Sequence, residues 1–416
     1  MSGDIYVDGE NTKGNRLGRI CGKVGVVLQN ADEQIVHKKV EDEVAFGCEN
    51  LGYAPDLIAK QIEIACKLTD IDPTSKTRSL SGGQKQRLIT ASTLAMGQKI
   101  VILDEPLANL DAESGRALMS SLRLLSKEGY AVIVVEHRLD MVLAYADKVW
   151  HIENGKISEI KDAKAYLLEQ SKEIADICPK FYCKDYAFSL DGVGFSIKNK
   201  TILQDITFKI PKGGRLLLLG ENGCGKTTLL RLISRLSKPS VGSITQNIDE
   251  NLGQKHKGSK KWFSRVGVVY QNPDYQLFMP TVRKEIDFGS ISREYAQRII
   301  DVFSLAPILD AHPQSLSEGQ KRKVSIAAAM ASRPDVLILD EPTVGQDYVE
   351  LQRLVNIINS EHNDIGNTII TVTHDKRCAK ALCDFAAIIK DGKVAEFGGK
   401  DIVDKFFSSD IETAKL

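Results

Sequence analysis

Gly220, Glu221, Asn222, Gly223, Cys224, Gly225, Lys226 and Thr227 spell GENGCGKT, which fits G-x-x-x-x-G-K-[ST] at every position. Glycines at this spacing let backbone N–H groups turn inward around phosphates, and the helix that follows adds positive potential at its N-terminus. Lys226 is expected to reach the β- and γ-phosphates of a nucleotide, with Thr227 binding Mg²⁺ and Thr228 beside it. The motif is credible only between a strand and a helix. "RLLLLG" before it reads as a buried strand and "KTTLLRLI" after it as a helix start. Cys224 reads as a small filler residue of the loop.

A second constellation lies downstream. "VLILDE" delivers Asp340 and Glu341 to the carboxyl edge of a buried parallel strand, where ligands bind in α/β sheets. Asp340 is expected to hold Mg²⁺, and Glu341 to orient or deprotonate an attacking water. Gln271 follows a short apolar strand, where its amide could coordinate Mg²⁺ or water. His374 ends another apolar strand. "LSGGQ" places Ser81 as the N-cap of a helix opened by Gly82, Gly83 and Gln84, an anion site suited to a γ-phosphate.

These residues belong to a tandem repeat. VGVVLQN (24–30) recurs as VGVVYQN (266–272), and VEDEVAFG (40–47) as VRKEIDFG (282–289). SLSGGQKQRL (79–88) recurs as SLSEGQKRKV (315–324), VILDEPLANLD (101–111) as LILDEPTVGQD (337–347), and VIVVEH (132–137) as IITVTH (369–374). The order is the same, and the copies share spacing: Ser81 to Asp104 equals Ser317 to Asp340. Repeats decide the fold reading. Copy one lacks a counterpart to about 57 residues, from Asp185 to Val241, and with them the glycine loop. One account of this deficit is that Met1 is an internal methionine; another is a genuinely asymmetric protein.

The ordered set resembles ATP-binding-cassette ATPases over nearly the whole chain. The resemblance maps the Walker A loop to Gly220–Thr227, the Q-loop glutamines to Gln29 and Gln271, and the signatures to Leu80–Gln84 and Leu316–Gln320. It maps Walker B to Asp104/Glu105 and Asp340/Glu341, the D-loop to Asp111 and Asp347, and the switch histidines to His137 and His374. It implies an α/β fold of two P-loop cassettes, each with a mostly parallel core sheet and a helical signature subdomain, the first incomplete. QNPDYQLFMPTVRKEIDFG (271–289) looks like energy-coupling-factor importers of vitamins and metal ions. In that group this region meets an integral-membrane coupling subunit, beside a substrate-binding membrane subunit. Two departures stand out. Ile197 occupies the position of the usual adenine-stacking aromatic, with Phe195 nearby, and Glu318 replaces a signature glycine.

The resemblance also implies internal head-to-tail pairing of the cassettes. One ATP site would then join Gly220–Thr228, Gln271, Asp340, Glu341 and His374 to Ser81–Gln84. The other would lack a P-loop and carry the altered signature. The reading is an ATPase with one competent site, at the cytoplasmic face of a prokaryotic membrane. A soluble tandem cassette factor acting on ribosomes and an inactive remnant are the rivals. Expected boundaries are 1–160 for cassette one, 161–185 for a linker, 186–403 for cassette two and 404–416 for a tail.

Composition agrees. The chain of 416 residues carries 55 Lys+Arg against 55 Asp+Glu, so it is not built to coat nucleic acid. It is 43% hydrophobic and 26% charged, an ordinary globular balance. No apolar run reaches the roughly 18–20 residues of a membrane span. The first residues show no secretory signal, and the eight cysteines form no CxxC pair.

Overall fold

A computed structural model of the chain describes residues 3–13, 20, 22–28, 31–107, 110, 112–153, 155–170, 172, 174, 185–198, 200–248, 260–263, 265–344 and 346–412. The chain divides into two compact units, Met1–Gln170 and Ser171–Leu416. The expected linker therefore contributes its first half, helix α3 (Ala163–Gln170), to the first unit. Gln29, Asp111 and most of the basic stretch 251–265 lie outside the described residues.

In the first unit, β1 (Val24–Val27), β2 (Ile100–Asp104) and β3 (Ala131–Val135) form a parallel sheet in that order. Beside it in sequence, β4 (Trp150–Glu153) and β5 (Lys156–Glu159) make a separate hairpin. Helices α1 (Val40–Asn50) and α2 (Gly82–Ala95) pack with these strands in one apolar cluster containing Val44, Leu88, Leu103 and Leu118.

The second unit opens with an antiparallel sheet. It is formed by β6 (Tyr186–Ile197), β7 (Lys200–Pro211) and, beyond the nucleotide loop, β9 (Val241–Gln246). Its main sheet uses β8 (Arg215–Leu219), β10 (Val266–Val269), β11 (Val336–Asp340), β12 (Thr368–Val372), β13 (Phe385–Lys390) and β14 (Lys393–Gly398). The order is β10-β11-β12-β8-β13-β14, parallel except for the last pair. Both neighbours of β8 come from the far end of the chain. That is why all five of its residues are buried and why it reads as a continuous apolar run.

The repeat makes β3 the counterpart of β12, but their environments differ. Every residue of β12 is buried, whereas β3 alternates between exposed and half-buried. β12 has β8 on one side and β11 on the other; among the described residues β3 has only β2. A strand edge left open in this way exposes both hydrogen-bonding groups and apolar side chains.

The segment expected as a tail over 404–416 belongs, up to Glu412, to a helix that docks on the core. The helix spans Asp401–Glu412, begins before residue 404, and packs Ile402, Val403, Phe406 and Phe407 with Leu217 and Leu219 of β8. Apolar residues spaced for one helix face account for the docking.

Candidate nucleotide site

β8 ends at Leu219, and helix α4 (Lys226–Ile233) begins at Lys226, so the glycine loop has the strand–loop–helix setting it needs. Gly225 at φ +110° precedes the helix in a left-handed conformation, and a Cβ there would meet Leu203 Cδ2 at 2.6 Å. Gly220 is tighter still: a Cβ would fall 2.2 Å from the Ile389 carbonyl. Glu221, Asn222 and Gly223 are exposed on the loop, with Cys224 half-buried beneath them. Burial pushes the Cys224 thiol pKa upward, against the pull of Lys226. A neutral packing thiol fits the filler role.

Lys226 is buried, and its Nζ donates to the carbonyls of Gly220 at 2.6 Å and Glu221 at 2.9 Å. The ammonium is thus tethered by the loop that would surround a phosphate. Thr227 Oγ1 donates to Asp340 Oδ2 at 3.0 Å, which brings two side-chain oxygens from α4 and β11 together. Burial raises the Asp340 pKa, while Thr227 and Lys226 oppose that shift.

Glu341 follows directly. It is buried at φ +52°, a left-handed conformation that costs a non-glycine residue strain. Its backbone N–H bonds the Val372 carbonyl at 2.9 Å, locking the bend against β12. Glu341 Oε1 is buried without a hydrogen-bond partner, His374 Nε2 stands 3.4 Å from it, and the His374 N–H donates to Oε2 at 3.3 Å. Burial first, and the Asp340 carboxylate second, raise the Glu341 pKa to about 8. A carboxyl with heightened proton affinity, an open oxygen and an adjacent histidine suits proton abstraction from water.

The orphaned Glu341 oxygen, the Thr227–Asp340 pair and the backbone cradle fit Mg²⁺ with a nucleoside triphosphate. Mg²⁺ would be held by Thr227 and Asp340, with the Gln271 amide as the further ligand the sequence suggests, and would supply charge neutralisation at the phosphates. Gln271 is exposed just after β10, and Arg322 anchors this segment by donating to the Tyr270 carbonyl at 3.1 Å.

Copy one repeats the strand-end geometry. Glu105 lies at φ +45°, its N–H bonds the Val135 carbonyl at 2.9 Å, and His137 Nε2 is 3.3 Å from its Oε1. Asp104 and His137 are exposed there, unlike Asp340 and His374. Ser81 caps α2 as expected: its side chain accepts from the Gln84 N–H at 3.4 Å, and Gln84 Oε1 accepts from the Ser81 N–H at 2.9 Å. Ser81 and Gly82 are exposed, Gln84 is half-buried and Gly83 is buried. Ser317 caps α6 (Glu318–Ala331) in the same way, but the exposed Glu318 carboxylate occupies the first turn and contacts Lys321 at 3.5 Å. A negative side chain there opposes anion binding at the helix start.

The profile of the ABC transporter family matches residues 1–108 and 203–344. The chain belongs to the ABC transporter ATP-binding family. This ABC ATPase is 31% identical to a Treponema denticola protein named as an ABC transporter ATP-binding protein, over 95% of this chain and 84% of the relative. A Bacillus subtilis protein named for HMP/thiamine import ATP binding is 30% identical, over 90% of this chain and 76% of that one. An archaeal ribosome recycling factor, solved with ribosomal stalk protein, superposes at a TM-score of 0.64 with 20% identity, covering 92% of this chain and 76% of that one. That likeness shows the fold alone. Among the described residues no helix is long and apolar enough to cross a membrane.

Two glutamates escaped the sequence reading. Glu43 Oε2 accepts from the N–H groups of Val36 and His37, at 2.9 and 2.6 Å. Glu285 Oε2 accepts from Phe278 and Met279, at 3.0 and 2.7 Å. The repeat carried the signal, since both acids occupy the same place in VEDEVAFG and VRKEIDFG. In copy two the clamped loop carries Phe278 and the following helix, α5 (Val282–Gly289), carries Phe288; they are 66% and 67% exposed and form an edge-to-face pair. Ile197 is exposed on β6, and Phe195 is turned partly into the core.

Proposed function

We propose that this ABC ATPase is the energy-coupling subunit of a membrane importer of the energy-coupling-factor type, taking up a vitamin or metal ion. Its partners are an integral-membrane coupling subunit and a substrate-binding membrane subunit, at the cytoplasmic face of a prokaryotic membrane. The observation that carries the reading is the segregation of competence. Lys226, Thr227, Asp340, Glu341 and His374 converge in copy two, while an unaltered signature, Ser81–Gln84, belongs to copy one. Paired head to tail, these elements make one ATP site. Gly220–Thr228 holds the phosphates, Asp340, Thr227 and Gln271 hold Mg²⁺, Glu341 acts as base, and His374 supports it. The second pairing, with Glu318 in its signature, is inert.

The importer reading is supported by the exposed Phe278–Phe288 pair, downstream of Gln271 in sequence, and by the import function in the Bacillus subtilis relative's name. ATP binding draws the two cassettes together, and loss of the γ-phosphate releases them. The test is co-purification in mild detergent after expression in the native cell. The chain is expected to emerge with two hydrophobic subunits that raise its ATP turnover. Sedimentation with ribosomes, released by salt, would overturn the importer reading, as would recovery as a free protein unaffected by membranes.

A further inference from the structure

We propose that Glu136, Arg138 and Leu110 form a brace that positions the signature glycines of copy one, making Glu136 and Arg138 positioning residues for hydrolysis. The inference rests on the reading that Ser81–Gln84 serves the competent site.

Glu136 stands where copy two has Thr373, and Arg138 where it has Asp375. Glu136 Oε1 accepts from the Leu107 N–H at 2.8 Å, and its Oε2 accepts from the N–H groups of His137 and Arg138 at 2.8 and 3.0 Å. Arg138 Nη1 donates to the carbonyls of Leu107 and Leu110, at 3.3 and 2.7 Å. One acid and one base thereby hold the backbone of Leu107 and Leu110, beyond the end of β2. Hydrogen bonds with an ionised partner are roughly twice as strong as neutral ones.

Leu110 in turn stands close to the signature. Leu110 is buried, and a Cβ built on either Gly82 or Gly83 would lie 3.5 Å from Leu110 Cδ2. A continuous path therefore runs from the end of β3, through Leu107 and Leu110, to the first turn of α2. Copy two is wired differently. Thr343 and Thr373 share a single hydroxyl contact of 3.0 Å, Asp375 is spent capping the next helix through the Arg377 and Cys378 N–H groups, and Gln346 donates to the Gly319 carbonyl at 3.2 Å. The catalytic copy thus keeps a light neutral tie beside its switch histidine. The copy that only presents a signature has a charged brace in the same place.

The experiment uses the full chain with Arg138→Ala, Arg138→Lys, Leu110→Ala and, as reference, Ser81→Ala. Steady-state hydrolysis, equilibrium binding of a fluorescent ATP analogue and amide exchange are read together. Arg138→Ala and Leu110→Ala are expected to lower kcat about tenfold with analogue affinity kept. Exchange should quicken at Gly82–Gln84, and Arg138→Lys should recover most of the rate, because one ammonium still reaches a carbonyl. If Ser81→Ala cuts kcat while Arg138→Ala and Leu110→Ala change neither kcat nor exchange, the brace is refuted. Uniform loss of protection throughout α1 and α2 would also overturn it, by reducing its role to stability. If Ser81→Ala is without effect, the signature reading fails instead, and exchange at Gly82–Gln84 alone decides the brace.

Discussion

Thr227 Oγ1 donates a 3.0 Å hydrogen bond to Asp340 Oδ2, joining residues 113 positions apart. It ties the first turn of α4 to the end of β11 and sets two side-chain oxygens side by side. Asp340→Asn keeps the size and the acceptor but removes the charge a divalent cation needs. Turnover is expected to fall at least about a hundredfold at fixed Mg²⁺ and to recover in part as Mg²⁺ is raised. A Mg²⁺ titration of ATP hydrolysis checks this; an unchanged Mg²⁺ midpoint would remove Asp340 from the metal site.

The two copies make a paired comparison at the catalytic position. Glu105 and Glu341 share the left-handed backbone and the adjacent histidine, but among the described residues only Glu341 adjoins a glycine loop and a buried lysine. Lys226→Ala and Glu341→Gln should each lower kcat by about a hundredfold or more. Glu105→Gln should stay within about twofold. Phosphate-release assays on purified variants decide it, and loss of turnover in Glu105→Gln would end the one-site reading.

The sequence exposed both strand ends, the glycine loop and the caps, because those features are written in local spacing. Ser81 and Ser317 cap their helices through a side chain and a glutamine three residues on, a pattern visible in five letters. What stayed hidden depended on distant neighbours. Ala131–Val135 and Thr368–Val372 read as the same strand, yet one is half-open and the other buried, because β8 pairs with only one of them. Glu136 accepts from the Leu107 N–H, a partner 29 positions earlier that no local pattern reveals. The docking of the C-terminal helix depends on β8, which lies nearly two hundred residues earlier.

That difference between strands yields a mutational contrast. Ile133 is 49% exposed and its counterpart Ile370 is 0% exposed. Ile370→Lys would bury an unpaired ammonium in the centre of the sheet and should prevent stable folding of the second unit. Ile133→Lys should cost about 1 kcal/mol or less, since its end reaches water. Thermal melts report both. A large loss from Ile133→Lys would mean that β3 is covered in solution.

His362 makes stability depend on pH. It is buried in α7 (Tyr348–Ile365), with Nδ1 3.2 Å from Asn367 Oδ1. Burial lowers its pKa, helped by Arg215, while Asn367 and Asp384 oppose the shift. Below the ordinary histidine value of about 6.5 the unfolded chain takes up a proton that the folded chain refuses. Stability from this residue is therefore present at neutral pH and lost as pH falls from the unfolded pKa toward the folded one. His362→Gln should flatten the drop in melting temperature between about pH 7 and about pH 5.5. An unchanged pH profile would show that the imidazole stays neutral in neither state or both.

Arg215 and Asp384 test how the nucleotide strand is anchored at its other end. Arg215 opens β8 with a side chain only 1% exposed. Its Nη2 donates to Asp384 Oδ1 at 2.7 Å and its Nε to Oδ2 at 3.1 Å, while Nη1 donates to Asn359 Oδ1 and the Ala381 carbonyl at 3.1 and 3.0 Å. The backbone N–H of Arg215 also bonds Asp384 Oδ2. Removing one partner strands a buried charge, so Asp384→Ala should destabilise the second unit by about 3–5 kcal/mol. Replacing both charges with apolar groups removes that penalty, because the pair's attraction largely offsets its own desolvation. The double variant Arg215→Met/Asp384→Leu should therefore be more stable than Asp384→Ala alone. Denaturant melts of the three proteins measure the difference, and a double variant less stable than the single one would show that the pair contributes beyond cancelling its burial.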